Sequence, residues 1–131
     1  MRRARYFWVN RQHPFYREFR KIVIRSVGVE DNLKNLMIKL KGVKLAILYG
    51  FFAKGWERKD SDVDILIVGK TDVEDDLLKE LAVLEKRVQR EINYRLYTEK
   101  EYRQRRLAKD AFLEEILSDQ KVVLKGDPDA V

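Results

Sequence analysis

The sequence predicts an α/β (α+β) fold, a small mixed β-sheet flanked by helices. Two apolar runs of strand length, residues 43–49 and 62–68, are too short to be favoured as buried helices. Segments with helical periodicity precede and follow these two runs. A chain of 131 residues, 45% of them hydrophobic, is large enough for one core. Together these observations predict one domain in which helices are layered on a sheet.

Two helices are predicted before the first strand. Pro14 suits the first turn of a helix over residues 14–26, and Gly28 is its predicted stop. Asp31 is a suitable N-cap for a second helix, which Gly42 would end. The apolar face of this second helix has the expected spacing in Leu33, Leu36, Met37 and Leu40.

A long helix and a third strand are predicted after the second apolar run. The helix covers residues 72–88, and its inward residues are predicted to be Leu77, Leu78, Leu81, Leu84 and Val88. Residues 91–97 alternate in polarity, which is typical of a half-buried strand. One face of that strand would carry Ile92, Tyr94 and Leu96, and the other Glu91, Asn93, Arg95 and Tyr97.

The last part of the chain predicts two short helices and an edge strand. Thr98 and Glu101 have the spacing of a capping box, which would start a helix that runs to about residue 109. Asp110 is placed to begin the next helix. Residues 122–124 are predicted to form the final strand, at the edge of the sheet.

Composition excludes several classes of functional site. The chain has no cysteine, so disulfides and thiolate metal sites are excluded. Its single histidine, His13, argues against a histidine-based metal centre or catalytic triad. No apolar run approaches the roughly 20 residues that cross a bilayer. The sequence therefore predicts no contact with the membrane and a cytoplasmic location.

Positive charge is concentrated at the N-terminus. Residues 1–29 hold eight Lys/Arg and one acid, a net charge of +7, whereas the whole chain has +6. We therefore divide the chain into a basic arm and helix, residues 1–29, and a domain at residues 30–131. Such an arm can serve a phosphate-bearing partner, including nucleic acid. A solvated helix face with a frayed terminus is the alternative that the residues leave open.

Two carboxylates, Asp62 and Asp64, lie at the start of the second apolar run. Residues i and i+2 of a strand share a face, so both side chains would point the same way while Val63 and Ile65 point into the core. Two neighbouring negative charges favour a cation between them. Mg²⁺ binds one or two carboxylates together with phosphate oxygens and water. A polar turn at the start of a strand is the alternative for this pair.

The turn after the first strand can approach a phosphate closely. Gly50 has no side chain to hinder the approach, and the N–H groups of a turn that follows it can bind an anion. Lys54 adds positive charge, and Phe51 and Ser61 belong to the same predicted nucleotide-binding segment. An ordinary strand-to-helix turn is the alternative for Gly50 alone.

Together these residues resemble the signature of the DNA polymerase β-like nucleotidyltransferase superfamily. That signature is Gly-Ser, ten residues and Asp-x-Asp, and here Gly50 and Phe51 are followed by ten residues and then Asp62-Val63-Asp64. Residues 89–98 are also similar to the third strand of small prokaryotic members. The resemblance implies a nucleotidyltransferase-like fold in which Asp62 and Asp64 hold Mg²⁺ bound to a nucleoside triphosphate. It also implies a third carboxylate on a later strand and pyrophosphate as the leaving group.

The sequence departs from that signature at two positions. Phe51 replaces the serine whose hydroxyl helps to hold the triphosphate, and a phenyl ring cannot donate a hydrogen bond. Asn93 occupies the predicted place of the third carboxylate, and an amide cannot act as a general base. Glu91, on the same strand face, is the alternative third metal ligand, or else an ordinary surface acid.

The N-terminal segment resembles a second feature of the superfamily. Residues 6–10, followed by His13-Pro14-Phe15-Tyr16, are similar to the junction of winged-helix–nucleotidyltransferase fusions. No helix-turn-helix pattern precedes the junction in this sequence. The aromatic residues there can equally belong to a core or to a surface for self-association, so a homodimer is one predicted state.

The resemblance leads to three hypotheses about function. The first is transfer of a nucleoside monophosphate, AMP from ATP, to a protein or small-molecule hydroxyl with Mg²⁺, by a protein that has a small helical partner. The second is a catalytically degenerate member that binds nucleotide as a regulator or antitoxin-like partner. The third is a DNA-associated regulator that uses the basic arm, whose affinity would fall steeply with salt.

Overall fold

The computed structural model of the protein describes residues 16–53 and 62–131. The predicted basic arm lies outside these residues for most of its length, and so do Lys54 and Ser61. The helices are α1 (Tyr16–Lys39), α2 (Gly50–Ala53), α3 (Glu74–Val88), α4 (Glu99–Leu107) and α5 (Ala111–Ser118). The strands are β1 (Val43–Tyr49), β2 (Val63–Gly69), β3 (Ile92–Tyr97) and β4 (Val122–Lys125). A short 3-10 turn, Thr71–Val73, leads into α3.

The four strands form one mixed sheet in the order β3-β2-β1-β4. β1 pairs antiparallel with β2 and with β4, whereas β2 pairs parallel with β3. A parallel pair needs a crossover connection, and α3 supplies it between β2 and β3. The predicted mixed sheet flanked by helices is confirmed, with β4 at one edge as expected.

Helices cover both faces of this sheet. One core cluster joins side chains of α1 and α3 to Ala46 and Leu48 of β1 and to Ile65 and Ile67 of β2. The other cluster joins α4 and α5 to the alternate residues of the same strands, among them Ile47 and Leu66. Burial on both faces explains why β1 and β2 are continuous apolar runs in the sequence.

The prediction of two helices before β1 is wrong. α1 runs unbroken from Tyr16 to Lys39, through Gly28 and Asp31. Glycine ends a helix when it takes a left-handed conformation, and Gly28 is not among the residues with positive φ. Packing of Val29 and Leu33, both 0% exposed, continues the helix across a glycine that weakens it by only about 1 kcal/mol.

The inward face of α3 also differs at one position. Leu77, Leu81, Leu84 and Val88 are buried as predicted, but Leu78 is 49% exposed. Leu78 follows Leu77 directly and is rotated about 100° from it around the helix, so both cannot face the sheet.

The predicted starts of the last two helices are confirmed. Thr98 accepts a hydrogen bond from the Glu101 backbone N–H at 3.1 Å, and the Thr98 N–H donates to the Glu101 carboxylate at 2.9 Å. The Asp110 carboxylate caps α5 by accepting from the Leu113 N–H at 3.1 Å. Among the described helices, none is both long and apolar enough to cross a membrane.

Candidate nucleotidyl-transfer site

Asp62 and Asp64 come together at the end of the sheet where β2 begins. Asp64 is half-buried and pairs with Tyr49 of β1 on one side and with Asn93 of β3 on the other. Asp62 is exposed, just before the strand. The Asn93 amide donates to Asp62 Oδ2 at 3.4 Å and to Asp64 Oδ1 at 3.5 Å. The two carboxylates therefore face the same side, as predicted, and one amide group bridges them.

The environment of Asp64 disfavours its charged form. Burial raises the pKa of the Asp64 carboxyl, the bond from Asn93 lowers this pKa, and the negative charge of Asp62 raises it. The net direction is upward from the ordinary value. A positive ion beside these oxygens would reverse that direction because it stabilises the carboxylate form.

Gly50 is required at the end of β1 for two separate reasons. Its φ of +80° lies in the left-handed region, which L side chains rarely adopt. A Cβ atom at this position would also lie 2.9 Å from Asp64 Oδ2, closer than such atoms normally approach. The predicted helical turn begins at this residue as α2. The glycine therefore lets β1 turn directly against the carboxylate.

No third carboxylate joins this pair within the described ranges. Glu91 is exposed, and its backbone carbonyl accepts from the Val63 N–H at 2.8 Å. Among residues 16–53 and 62–131, no group of three His, Cys, Asp or Glu side chains could hold a metal ion. The strand position that faces Asp64 is occupied by Asn93.

A cleft of about 320 Å³ opens beside Asp64, between the sheet and α5. The sheet contributes Tyr49 and Gly50 to its lining, and α5 and the residues after it contribute Phe112, Glu115 and Asp119. The Tyr49 and Phe112 rings meet edge to face, with centroids 5.7 Å apart. Asp64 therefore lines a cavity with an aromatic wall, which is typical of sites for small molecules.

An arginine on β3 completes the surroundings of this aromatic pair. The Arg95 guanidinium carbon lies 4.0 Å from the centre of the Phe112 ring, and Arg95 is exposed. Burial and the charge of Asp64 raise the pKa of the Tyr49 phenol, whereas the positive charge of Arg95 lowers it. The Tyr49 hydroxyl thus responds to the charges of both residues.

The family model for polymerase β nucleotidyltransferases matches residues 31–129 of the chain. That match covers the sheet, its flanking helices from within α1 onward, and the whole candidate site. The protein belongs to this nucleotidyltransferase family. None of the proteins with curated functions matches its sequence.

Solved structures with a similar fold include toxin–antitoxin proteins. A toxin–antitoxin structure with AMP-PNP has a TM-score of 0.50 and 16% identity, and the match covers 75% of this chain and 73% of that chain. A candidate nucleotidyltransferase from Sulfolobus solfataricus has a TM-score of 0.44 and 16% identity over 79% and 85% of the two chains. A mutant of the toxin–antitoxin MntA–HpeT has a TM-score of 0.44 and 16% identity, and the match covers 72% of this chain and 73% of that chain. At such identities the first similarity shows a shared fold, and the other two add nothing to it.

The structure of this nucleotidyltransferase family member brings together only some of the predicted site residues. Gly50, Asp62 and Asp64 meet at one end of the sheet, whereas Lys54 and Ser61 lie outside the described residues. Phe51 belongs to α2, but its side chain is likewise not described.

Sequence reasoning missed the aromatic wall of the candidate site. Tyr49 and Phe112 are 63 positions apart, and no spacing pattern connects them. The alternation of polar and apolar residues in β3 correctly predicted the face on which Arg95 lies. No other feature of the sequence indicated the position of Arg95.

Proposed function

We propose that this protein transfers a nucleoside monophosphate, AMP from ATP, to a hydroxyl group of a protein or small molecule, with Mg²⁺ held by Asp62 and Asp64. The observation that carries the proposal is the pair of carboxylates gathered on one side of β2, against the Gly50 turn. Membership of the family supports this class of reaction. AMP-PNP in a toxin–antitoxin protein of similar fold makes ATP the first nucleotide to test.

The donor set fits a magnesium ion. The two carboxylates lie on the same side of β2, and the Asn93 amide bridges them at the long distances of 3.4 and 3.5 Å. Mg²⁺ is normally held by one or two carboxylates and completes its octahedron with phosphate oxygens and water. Two carboxylates are therefore enough, and Glu91 would contribute only if its exposed side chain turned toward the pair. When bound, the ion supplies positive charge that offsets the charge developing on the phosphates.

The residues of the chain would act mainly by positioning. The bare backbone at Gly50 gives the triphosphate room beside Asp64. A bond forms between the acceptor oxygen and the α-phosphorus, the bond to the bridging oxygen breaks, pyrophosphate leaves, and the hydroxyl proton passes to water. The position beside Asp64 on β3 holds the Asn93 amide, which cannot take that proton.

Calorimetry with Mg²⁺ and a non-hydrolysable ATP analogue tests the proposal. We expect the wild-type chain to bind the analogue only with Mg²⁺, and Asp62→Asn or Asp64→Asn to weaken binding at least tenfold. Loss of one charged partner costs about 1.5–3 kcal/mol. The matched control is Asp75→Asn, the same change at an exposed acid in the first turn of α3. A folded wild-type chain that binds no analogue would contradict the proposal.

Asn93 favours a second candidate, a member that binds nucleotide without transferring it. The resemblance implies a carboxylate at the position beside Asp64 on β3, and the amide of Asn93 cannot act as a base there. In that case the protein would act as a nucleotide-binding regulator or antitoxin-like partner of a small helical protein in the cytoplasm. ATP that carries a label in its AMP portion separates the two candidates. Binding of this ATP without transfer of the label to any acceptor supports the second candidate.

A further inference from the structure

Arg95 is an exposed arginine whose position is set by an aromatic ring. Its guanidinium carbon lies 4.0 Å from the centre of the Phe112 ring. Phe112 in turn packs against Tyr49, with an angle of 83° between the two rings. Stacking on a ring restricts the guanidinium plane while its N–H groups stay free to bind at the edge. The cation is thus held at a defined place on the sheet surface.

The charge of Arg95 is not neutralised by a carboxylate within residues 16–53 and 62–131. The three arginines on α4 all have acidic partners: Arg103 pairs with Glu99, Arg105 with Asp110, and Arg106 with Asp129. Arg95 forms no such pair among the described residues, although Asp64 is only two register positions away on the neighbouring strand. An exposed arginine that forms no ion pair with the described residues is available to an anion from solution.

Strand order places Arg95 and Gly50 on opposite sides of the carboxylate pair. Gly50 follows β1, Asp64 is on β2 and Arg95 is on β3, and neighbouring strands lie about 4.8 Å apart. Arg95 is two residues beyond Asn93 on the same strand face, about 6–7 Å along β3. Under the proposed function, the triphosphate occupies the Gly50 side.

The direction of attack then assigns the β3 side to the acceptor. In phosphoryl transfer the attacking and leaving oxygens lie roughly in line through the phosphorus. With the α-phosphorus over Asp64 and pyrophosphate leaving on the Gly50 side, the acceptor hydroxyl enters over β3. The polar side chains that β3 carries on this face are Asn93 and Arg95.

We propose that Arg95 binds a phosphate group adjacent to the acceptor hydroxyl and so selects phosphate-bearing acceptors. This inference rests on the proposed function. The planar edge of a guanidinium group matches two phosphate oxygens, which favours phosphate as the partner. The phosphate can belong to a small phosphorylated alcohol or to the 3′ end of an RNA.

Phosphate binding can be measured after the triphosphate site is filled. The full chain is saturated with Mg²⁺ and α,β-methylene-ATP and then titrated with glycerol 3-phosphate, with uncharged glycerol, or with a six-residue RNA that ends in a 3′-hydroxyl. We expect Arg95→Gln to weaken binding of a phosphate probe about tenfold, the effect of one charge-assisted contact. Arg95→Lys should keep part of the affinity because it retains the charge.

The controls separate this contact from general attraction and from misfolding. Arg103→Gln removes the same charge from an arginine that is already paired with Glu99, so its affinity should equal that of the wild type. Phe112→Leu keeps Arg95 but removes the ring beneath it, so it should reduce the affinity for the phosphate probe by less than Arg95→Gln does. This variant tests the same contact if Arg95→Gln does not fold.

Each outcome decides a different point. If only the binding of glycerol 3-phosphate depends on Arg95, the acceptor is a small phosphorylated alcohol. If only the binding of the RNA depends on Arg95, the acceptor is the 3′ end of an RNA. If the ATP analogue binds but neither probe depends on Arg95, the inference is wrong and the proposed function stands. If the analogue does not bind, the proposed function fails and the inference fails with it.

Discussion

The two faces of the sheet show how the same strands can build both a core and a site. Under α1 and α3, β2 contributes Val63, Ile65 and Ile67, all 0% exposed, and this face is closed from one end of β2 to the other. Under α4 and α5, Leu66 and Val68 are equally buried, but Asp64 at the start of the strand is only half-buried. On this second face, the helices therefore cover β2 only from Leu66 onward and leave Asp64 partly open to solvent.

That difference separates stability from chemistry along a single strand. Successive residues of β2 point to opposite faces of the sheet. Asp64 and Ile65 therefore lie in different environments, although they are neighbours in the chain. Burial of Ile65 contributes to folding, whereas partial burial of Asp64 works against its charge. Substitutions on the two faces should therefore change different measured quantities.

The largest effect on stability is expected from Ile65→Ala. Removal of the buried side chain should lower the free energy of unfolding by about 2–5 kcal/mol, because the transfer energy is lost and a cavity is left. Urea unfolding followed by circular dichroism measures the change. Affinity for Mg²⁺ and the ATP analogue, corrected for the folded fraction, should stay within twofold. A site affinity that falls together with stability would show that the two faces are not independent.

A smaller effect is expected from Gly50→Ala, which acts on the open face. A left-handed conformation costs a residue with a Cβ atom about 1–2 kcal/mol, and the new atom would also displace the Asp64 carboxylate. The midpoint temperature of thermal unfolding should fall, and the affinity for the ATP analogue should decrease.

Gly28→Ala is the matched control for this glycine. Gly28 lies inside α1, where the nearest contact of an added Cβ is Asn32 Nδ2 at 4.0 Å. Alanine should therefore stabilise the helix by about 0.5–1 kcal/mol. If both alanine substitutions had the same effect, backbone geometry at Gly50 would not be the reason for its glycine.

The smallest effect is a pH dependence of stability that comes from Asp64. Its folded pKa is raised, so the folded state holds the proton more tightly than the unfolded state and the related stability is lost as the pH rises through the raised pKa. Without metal, unfolding free energies measured from pH 3 to pH 7 should fall more for the wild type than for Asp64→Asn.

Asp75→Asn again serves as the control, because this acid is exposed on α3. Its unfolding free energy should follow that of the wild type over the same pH range. Addition of Mg²⁺ with the ATP analogue should remove the difference between the wild type and Asp64→Asn at neutral pH, or reverse it. An Asp64→Asn curve parallel to the wild type would contradict the assigned environment.

Local patterns in the sequence predicted much of the fold. The capping box of Thr98 and Glu101 and the Asp110 cap lie within three residues of the groups that they bind, so a short stretch of sequence contains the whole interaction. The predicted helix stop at Gly28 was wrong, because a glycine inside a helix costs little compared with the burial of the α1 face.

The candidate site divides in the same way. The sequence by itself predicted that Asp62 and Asp64 share one face, because the alternation of a strand is a local property, and the resemblance to the superfamily signature grouped them with Gly50. Only the tertiary structure decided that Asn93 faces Asp64 and that Arg95 rests on Phe112. Strand register and the docking of α5 depend on contacts between residues far apart in the chain, which no local pattern specifies.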